Sequence, residues 1–265
     1  MIEKVKMLIG RQETILKLLE QNGYMEVTEL ASQLDVSVAT IRRDLQILEN
    51  QGKCFRKHGG VIAQNSGLML EIPYDQKVMV STEEKKKIAE LALEMVDDQD
   101  VIILDAGSTV FELACRLNVR RNLTVVTNDI KTAIVLAAIP DIELYVPCGA
   151  VTPGVYSIVG IDTQDYYNTI HANKVFLGVD AIHADGSITN ANVNETFLKR
   201  AMIKAGRKLI VLADSKKFSN NCFMTVCDFS QVDVLITDSN IKEESLRMLE
   251  RFDVEVKIAK MENNN

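Results

Sequence analysis

The chain has 265 residues, of which 47% are hydrophobic and 25% charged, with a formal net charge of −7. That is enough apolar material for one or two globular domains, and it argues against an extensively disordered chain. No run of about 18 uninterrupted apolar residues and no apolar leader block is found, which points away from a membrane partner and predicts a cytoplasmic protein. The five cysteines (Cys54, Cys115, Cys148, Cys222 and Cys227) contain no C-x-x-C pair and the three histidines do not cluster, so no disulfide frame, metal site or cofactor is expected.

In chain order, Ile15, Leu18 and Leu19 mark one helix, and Leu30, Ala31 and Leu34 a second. The stretch from Asp35 to Leu45 then reads as a turn followed by a capped, amphipathic third helix. Ser37 is placed to accept a hydrogen bond from the first-turn N–H groups. Val38, Ile41, Leu45 and Leu48 fall on one stripe, while Ala39, Arg43 and Gln46 face away. This is helix-turn-helix order. Gln51-Gly52 ends the helical pattern with a favoured left-handed cap, and 53–62 reads as two short strands folded over a turn, the wing of a winged helix.

Charge supports a nucleic-acid partner for this part only. Residues 1–60 hold nine Lys/Arg against eight Asp/Glu, a net of +1, so the remainder carries −8. Five of the nine cations lie between Arg42 and Lys57, a local patch of the kind that phosphate contact needs. On this reading Arg43 and Gln46 face base edges in the major groove. Ser37, Thr40 and Arg42 flank them and hold phosphates, as do Lys53, Arg56 and Lys57 on the wing. Asp44 orients an arginine or caps locally, because a carboxylate is repelled by the DNA backbone.

From residue 63 the pattern is lost, and Asn65, Ser66, Gly67 and Pro73 give linker chemistry. The expected organisation is a winged helix-turn-helix domain over 1–62, a linker over 63–74 and a second domain over 75–262, with disorder at 261–265. Ser81-Thr82-Glu83-Glu84 has capping-box spacing and leads into a helix over 85–95. Strands are predicted at 101–104, 123–127, 142–146, 174–179, 208–212, 234–237 and 254–258, with helices near 109–116, 130–138, 194–205 and 242–251. Such alternation predicts an α/β domain with a mainly parallel sheet covered on both faces.

Ligands of open α/β sheets bind beyond the carboxyl ends of the strands. There the chain places Asp105, Gly107, Ser108 and Thr109, then Thr127 and Asn128, then Asp180, and finally Lys217. Hydroxyls, amides, carboxylates and an ammonium around one crevice suit a polyol phosphate. Each piece also has a local reading: a tight turn capped by Ser108 or Thr109, an N-cap at Thr127-Asn128-Asp129, a solvated lysine at Lys217.

The chain resembles the DeoR family of bacterial transcriptional regulators along nearly its whole length. Ser37, Thr40-Ile41-Arg42-Arg43-Asp44-Leu45, Leu48, Gly52, Arg56 and His58-Gly59-Gly60 match that family's helix-turn-helix and wing. Leu104 to Thr109, Val126-Thr127-Asn128, Gly149, Ser157 with Gly160, Phe176-Leu177-Gly178, Gly186 to Thr189 and Leu212 to Phe218 are similar to its effector domain. The resemblance implies a ribose-5-phosphate-isomerase-like fold that senses phosphorylated sugars, and hence a repressor of sugar-metabolism genes. Its partners would be double-stranded operator DNA, a phosphorylated sugar, and further copies of itself as a homo-oligomer, dimer or tetramer. Ala106, Cys148 and Asn173 depart from the usual pattern and bear on which effector is recognised. Cys148 is otherwise read as a small buried residue.

The alternative is an active sugar-phosphate isomerase fused to a DNA reader. Its base would be Glu195, in a segment without the glycines such an enzyme carries. The local reading of Glu195 is a helix-opening carboxylate with Lys199 as its i,i+4 partner, which predicts no enzyme activity.

Overall fold

The computed structural model describes residues 10–19, 24–50, 53–57, 60–63, 72–219 and 222–260. The expected cap at Gly52 and the disorder expected at 261–265 lie outside them. The chain divides into two compact units, Met1–Met69 and Leu70–Asn265.

The first unit contains α1 (residues 10–19), β1 (Tyr24–Glu26), α2 (Val27–Gln33), α3 (Val38–Asn50), β2 (Cys54–Lys57) and β3 (Gly60–Ala63). Its core is built from the positions that the 3.6-residue spacing selects: Ile15, Leu19, Leu30, Ile41, Leu45 and Leu48, joined by Met25, Cys54 and Val61. The α2–α3 turn closes where the Val36 N–H donates to the Ala31 carbonyl at 3.0 Å and Asp35 adopts φ +49°, a left-handed conformation that aspartate tolerates. β2 and β3 form the expected wing. The sheet also gains β1, three residues that sequence periodicity does not reveal, in the order β1-β3-β2 and antiparallel throughout.

The second unit opens with α4 (Tyr74–Met79) and α5 (Thr82–Leu93). α4 begins inside the segment expected as linker. β4 (Val101–Leu104), α6 (Ser108–Ala114), β5 (Leu123–Thr127), α7 (Ile130–Leu136) and β6 (Ile142–Tyr145) follow. After the short β7 (Ala150–Val151) and β8 (Ile158–Val159) come α8 (Ile161–Asn168), β9 (Ala172–Gly178), β10 (Ala181–Ile182), β11 (Ser187–Asn190) and α9 (Val193–Ala205). β12 (Gly206–Leu212), β13 (Met224–Asp228), β14 (Val234–Asp238), α10 (Glu243–Leu249) and β15 (Glu255–Ala259) complete it.

Seven of these strands form one sheet in the order β15-β14-β12-β9-β4-β5-β6, parallel at every pairing. Side chains alternate across it. Ile102, Leu104, Phe176, Ile210 and Ile236 pack towards α5 and α6, whereas Ile103, Val175, Leu177, Val211 and Leu235 pack against α8, α9 and α10. Burial on both faces is why these strands read as continuous apolar runs. The chain departs from the centre in two directions, β4 to β5 to β6 one way and β9 to β12 to β14 to β15 the other, so the topological switch point lies between β4 and β9.

A small antiparallel sheet, β10-β11-β13, lies beside α9. Its hairpin turns at Gly186, with φ +93°, where a Cβ would overlap the Phe252 ring. The expected capping box at Ser81 does not form. Ser81 is left-handed at φ +54° and makes no side-chain cap, so its hydroxyl points to the Asp214 carboxylate at 3.5 Å instead. Cys148 is exposed rather than buried.

Candidate functional site

In the first unit, the Ser37 Oγ accepts from the Thr40 N–H at 3.2 Å and lies 2.9 Å from the Thr40 Oγ1, which fixes the start of α3. With Ile41, Leu45 and Leu48 buried, Arg42, Arg43 and Gln46 are left exposed. Asp44 is 1% exposed and takes a two-pronged bond from Arg11 of α1, at 2.5 and 3.2 Å. It orients an arginine, and its charge is turned away from the outer face of α3. Lys53 is exposed; the side chains of Arg56 and Lys57 lie outside what is described.

In the second unit, the structure brings Asp105 and Asp180 together at the β4–β9 switch point. Asp105, directly after β4, is 1% exposed, and its Oδ2 accepts from the Gly178 N–H at 2.9 Å and from the Lys199 ammonium. Lys199 also donates to the Gly178 carbonyl at 3.0 Å. Burial pushes the Asp105 carboxyl up to about 6, although Lys199 pulls it the other way. Asp180, after β9, accepts from Lys77 at 2.9 Å and from the Ala191 N–H at 3.2 Å. Burial opposes its ionisation, but Lys77, Lys217 and Lys199 overcome that and hold the carboxyl well below the usual range.

Glu195 is not the surface carboxylate that its spacing suggests. It is 5% exposed, and its two oxygens accept from the Ser157 hydroxyl at 2.5 Å and the Asn190 amide at 3.2 Å. The expected i,i+4 pair is not made, because Lys199 extends inward to Asp105. Asn192 caps α9 instead, accepting from the N–H groups of Asn194 at 2.9 Å and Glu195 at 3.3 Å.

The remaining predicted residues divide. Asp129 takes the capping role at α7, accepting from the Lys131 N–H at 2.9 Å and the Thr132 hydroxyl at 3.0 Å, and the fully buried Thr127 supports that turn by accepting from the Asp129 N–H at 3.1 Å. Asn128 is 1% exposed and its Oδ1 has no hydrogen-bond partner among the described residues, a cost the fold does not ordinarily leave unmet. Gly107 occupies the cap position of α6, so neither Ser108 nor Thr109 is the cap. A Cβ built on Gly107 meets nothing within 4 Å, so the space above this turn is open. Lys217 is half-buried. Asn173 lies at the opposite end of the sheet, accepting from the Val101 N–H at 2.8 Å, which removes it from effector recognition.

Sequence reasoning missed Lys77 and Asn190 as members of this cluster. Ser157 stood within the quoted effector-domain matches, Glu195 was weighed only as the base of the isomerase alternative, and Lys199 only as its i,i+4 partner on the helix surface.

Because the unfolded chain protonates Asp180 near its ordinary 3.8 while the folded chain resists doing so, its contribution to stability is present above that pH and lost below it. Asp180→Asn should therefore flatten the acid-side decline in urea midpoint between pH 5 and pH 2.5. A decline as steep as the wild type's would show that Asp180 does not drive it.

Residues 80–239 match the family model described as the DeoR C terminal sensor domain, and residues 11–67 the model described as the DeoR-like helix-turn-helix domain. The chain belongs to the DeoR family of transcriptional regulators. Within that family it is 34% identical to the HTH-type transcriptional regulator GolR of Listeria innocua, over 94% of this chain and 98% of the relative. It is 31% identical to a putative aga operon transcriptional repressor of Escherichia coli O157:H7, over 93% and 92%. To the glycerol-3-phosphate regulon repressor of Escherichia coli it is also 31% identical, over 86% and 90%. A solved ribose-5-phosphate isomerase overlaps 52% of this chain and 54% of its own at 17% identity and a TM-score of 0.39, too distant to bear on function. α2 and α3 lie within the residues matched by the helix-turn-helix model, and among the described residues no helix is long and apolar enough to cross a membrane.

Proposed function

We propose that this regulator is a cytoplasmic, homo-oligomeric repressor of sugar-metabolism genes, released from its operator when a phosphorylated sugar occupies the crevice between β4 and β9. The observation that carries the reading is the buried Asn128 Oδ1 without a partner among the described residues, beside a cluster of Asp105, Asp180, Lys77, Lys199 and Lys217. An unmet acceptor next to paired carboxylates and ammonium groups suits a ligand bearing both hydroxyls and an anion. The effector contacts are assigned to Asn128 and Asp180 for hydroxyls, and to Lys217, the open space at Gly107, and the Ser108 and Thr109 hydroxyls for phosphate. Asp105 and Thr127 hold these groups in place from below. That one relative is named for a glycerol-3-phosphate regulon and another for repression of an operon is consistent with this assignment.

On the DNA side, Arg43 and Gln46 are assigned to base edges. Ser37, Thr40, Arg42 and Lys53, with Arg56 and Lys57 of the wing, are assigned to phosphates. Arg43→Ala should cost about 1–3 kcal/mol and relax preference at one base position, whereas Arg42→Ala should weaken all sequences alike and reduce the salt slope by about 1. Titrations over operator variants at several salt concentrations check this; identical behaviour of the two variants would refute the division. One winged helix reaches few phosphates, which favours two half-sites and an oligomer.

The crevice is assigned to binding rather than conversion because both oxygens of Glu195, the candidate base, already accept hydrogen bonds. Turnover of pentose or hexose phosphates by the purified protein would reverse that assignment. The decisive experiment for the sensor is a melting screen against phosphorylated sugars, since stabilisation follows occupancy, combined with footprinting. A ligand that stabilises the protein should loosen the footprint; a tightened footprint would reverse the sign of control.

A further inference from the structure

α4 takes its position from contacts to elements on both sides of the switch point. Its first residue, Tyr74, is 4% exposed and meets Phe111 of α6 and Tyr156 edge-on, with ring centroids 6.1 and 6.0 Å apart. The Lys131 ammonium of α7 sits over both tyrosine rings, at 4.2 and 4.3 Å, and pairs with Asp75 at 3.1 Å. Three residues after Tyr74, on the β9 side, Lys77 pairs with Asp180 at 2.9 Å, the two side chains being 14% and 7% exposed. From α5, the Lys85 ammonium donates to the carbonyls of Lys77 and Val80 and so closes the end of α4. A six-residue helix does not hold itself together in water, so these contacts are what keep α4 folded and in place.

The two ends are not equivalent. The Tyr74 end is an aromatic cluster packed against α6 and Tyr156. The Lys77 end rests on Asp180, an acceptor for effector hydroxyls in the reading above, with Lys217 close enough to act on the same carboxylate. A phosphomonoester dianion attracts an ammonium more strongly than a single carboxylate does. A ligand placing its phosphate among these lysines and its hydroxyls on Asp180 therefore competes for both halves of the Lys77–Asp180 pair.

We infer that Lys77 is a further effector-contacting residue and that α4 is a latch. A phosphomonoester entering the crevice takes the Lys77 ammonium, Asp180 turns to the ligand's hydroxyls, and the β9 end of α4 is released. The chain runs upstream from α4 to the winged helix through residues 64–71, so the latch sits on the covalent path between the crevice and the DNA reader. The inference rests on the sugar-phosphate reading of the crevice.

The test is hydrogen–deuterium exchange of the full-length protein over residues 74–80, with and without glycerol 3-phosphate, ribose 5-phosphate and fructose 6-phosphate, alongside melting temperatures. In the native latch the Gln76 and Lys77 N–H groups donate to the Pro73 carbonyl, both at 3.0 Å. A sugar phosphate that raises the melting temperature should speed exchange in this segment at least tenfold. Lys77→Met should exchange at that faster rate without ligand, gain nothing on adding it, and bind the sugar phosphate at least fivefold more weakly; Lys77→Arg should restore all three properties. Stabilisation by a sugar phosphate with unchanged or slower exchange over 74–80 would overturn the latch alone, as would wild-type exchange in Lys77→Met. A panel with no melting shift would remove the sugar-phosphate reading and this inference with it.

Discussion

Lys199→Met should lower the melting temperature of the second unit by on the order of 10 °C, from a loss of about 3–5 kcal/mol. Lys199 and Asp105 are 3% and 1% exposed, and removing one partner of a buried pair leaves the other charge without compensation. The cost should depend on pH with a definite sign. In the wild type, burial raises the Asp105 carboxyl to about 6 from 3.8, so the folded chain holds that proton longer than the unfolded chain, and this group's contribution falls as pH rises from about 4 to about 6. Without Lys199, the force opposing that rise is gone and the fall extends to higher pH. The stability gap between variant and wild type should therefore widen from pH 5 to pH 8 in denaturant titrations. A gap constant with pH would mean that lost packing of the lysine stem, not the buried charge, is responsible. Asp105→Leu added to Lys199→Met should recover most of the loss, because a buried pair exchanged for apolar groups is often neutral.

That pair also shows where sequence reasoning reaches its limit. The inner strands of the main sheet are legible as apolar runs because strands buried on both faces carry a signal that does not depend on their neighbours, and the edge strands β6 and β15 are legible as alternating apolar and charged residues. The three-helix order and the cap at Ser37 are legible for a similar reason, since spacing and capping are local. β1, the two-residue β7 and β8, and the small β10-β11-β13 sheet are too short to show a period, and tertiary pairing alone creates them. α4 lies in what reads as linker because Tyr74-Asp75-Gln76-Lys77-Val78-Met79 has no repeating apolar face, its place being set by Phe111, Tyr156, Lys131 and Asp180. In the crevice, inspecting the residues after each strand finds Asp105, Asn128, Asp180 and Lys217. It does not find Lys77 or Lys199, which arrive from helices. Glu195 and Lys199 are a sharper case. Their i,i+4 spacing is real, yet burial directs each to a different partner, and burial is a property of the whole fold.

Leu45→Ala should abolish operator binding while leaving the ligand response of the second unit intact. Leu45 is fully buried in the core of the first unit, and truncating such a leucine costs about 2–5 kcal/mol. A winged helix of this size holds only a few kcal/mol in reserve, so the loss is comparable to everything that keeps it folded. Leu45 also follows Asp44, so collapse of its site misplaces the bond to Arg11 and, on the opposite side of α3, the arginines assigned to DNA. The residues around Leu45 form a core separate from the two that cover the faces of the main sheet, which is why the damage should stay local. Calorimetry should show the first unit's transition lost at 37 °C, and the second unit's transition should keep its wild-type midpoint and its shift with sugar phosphate. If both transitions fell together, the two units would be folding as one cooperative body, and mutations in either would have to be read as acting on the whole chain.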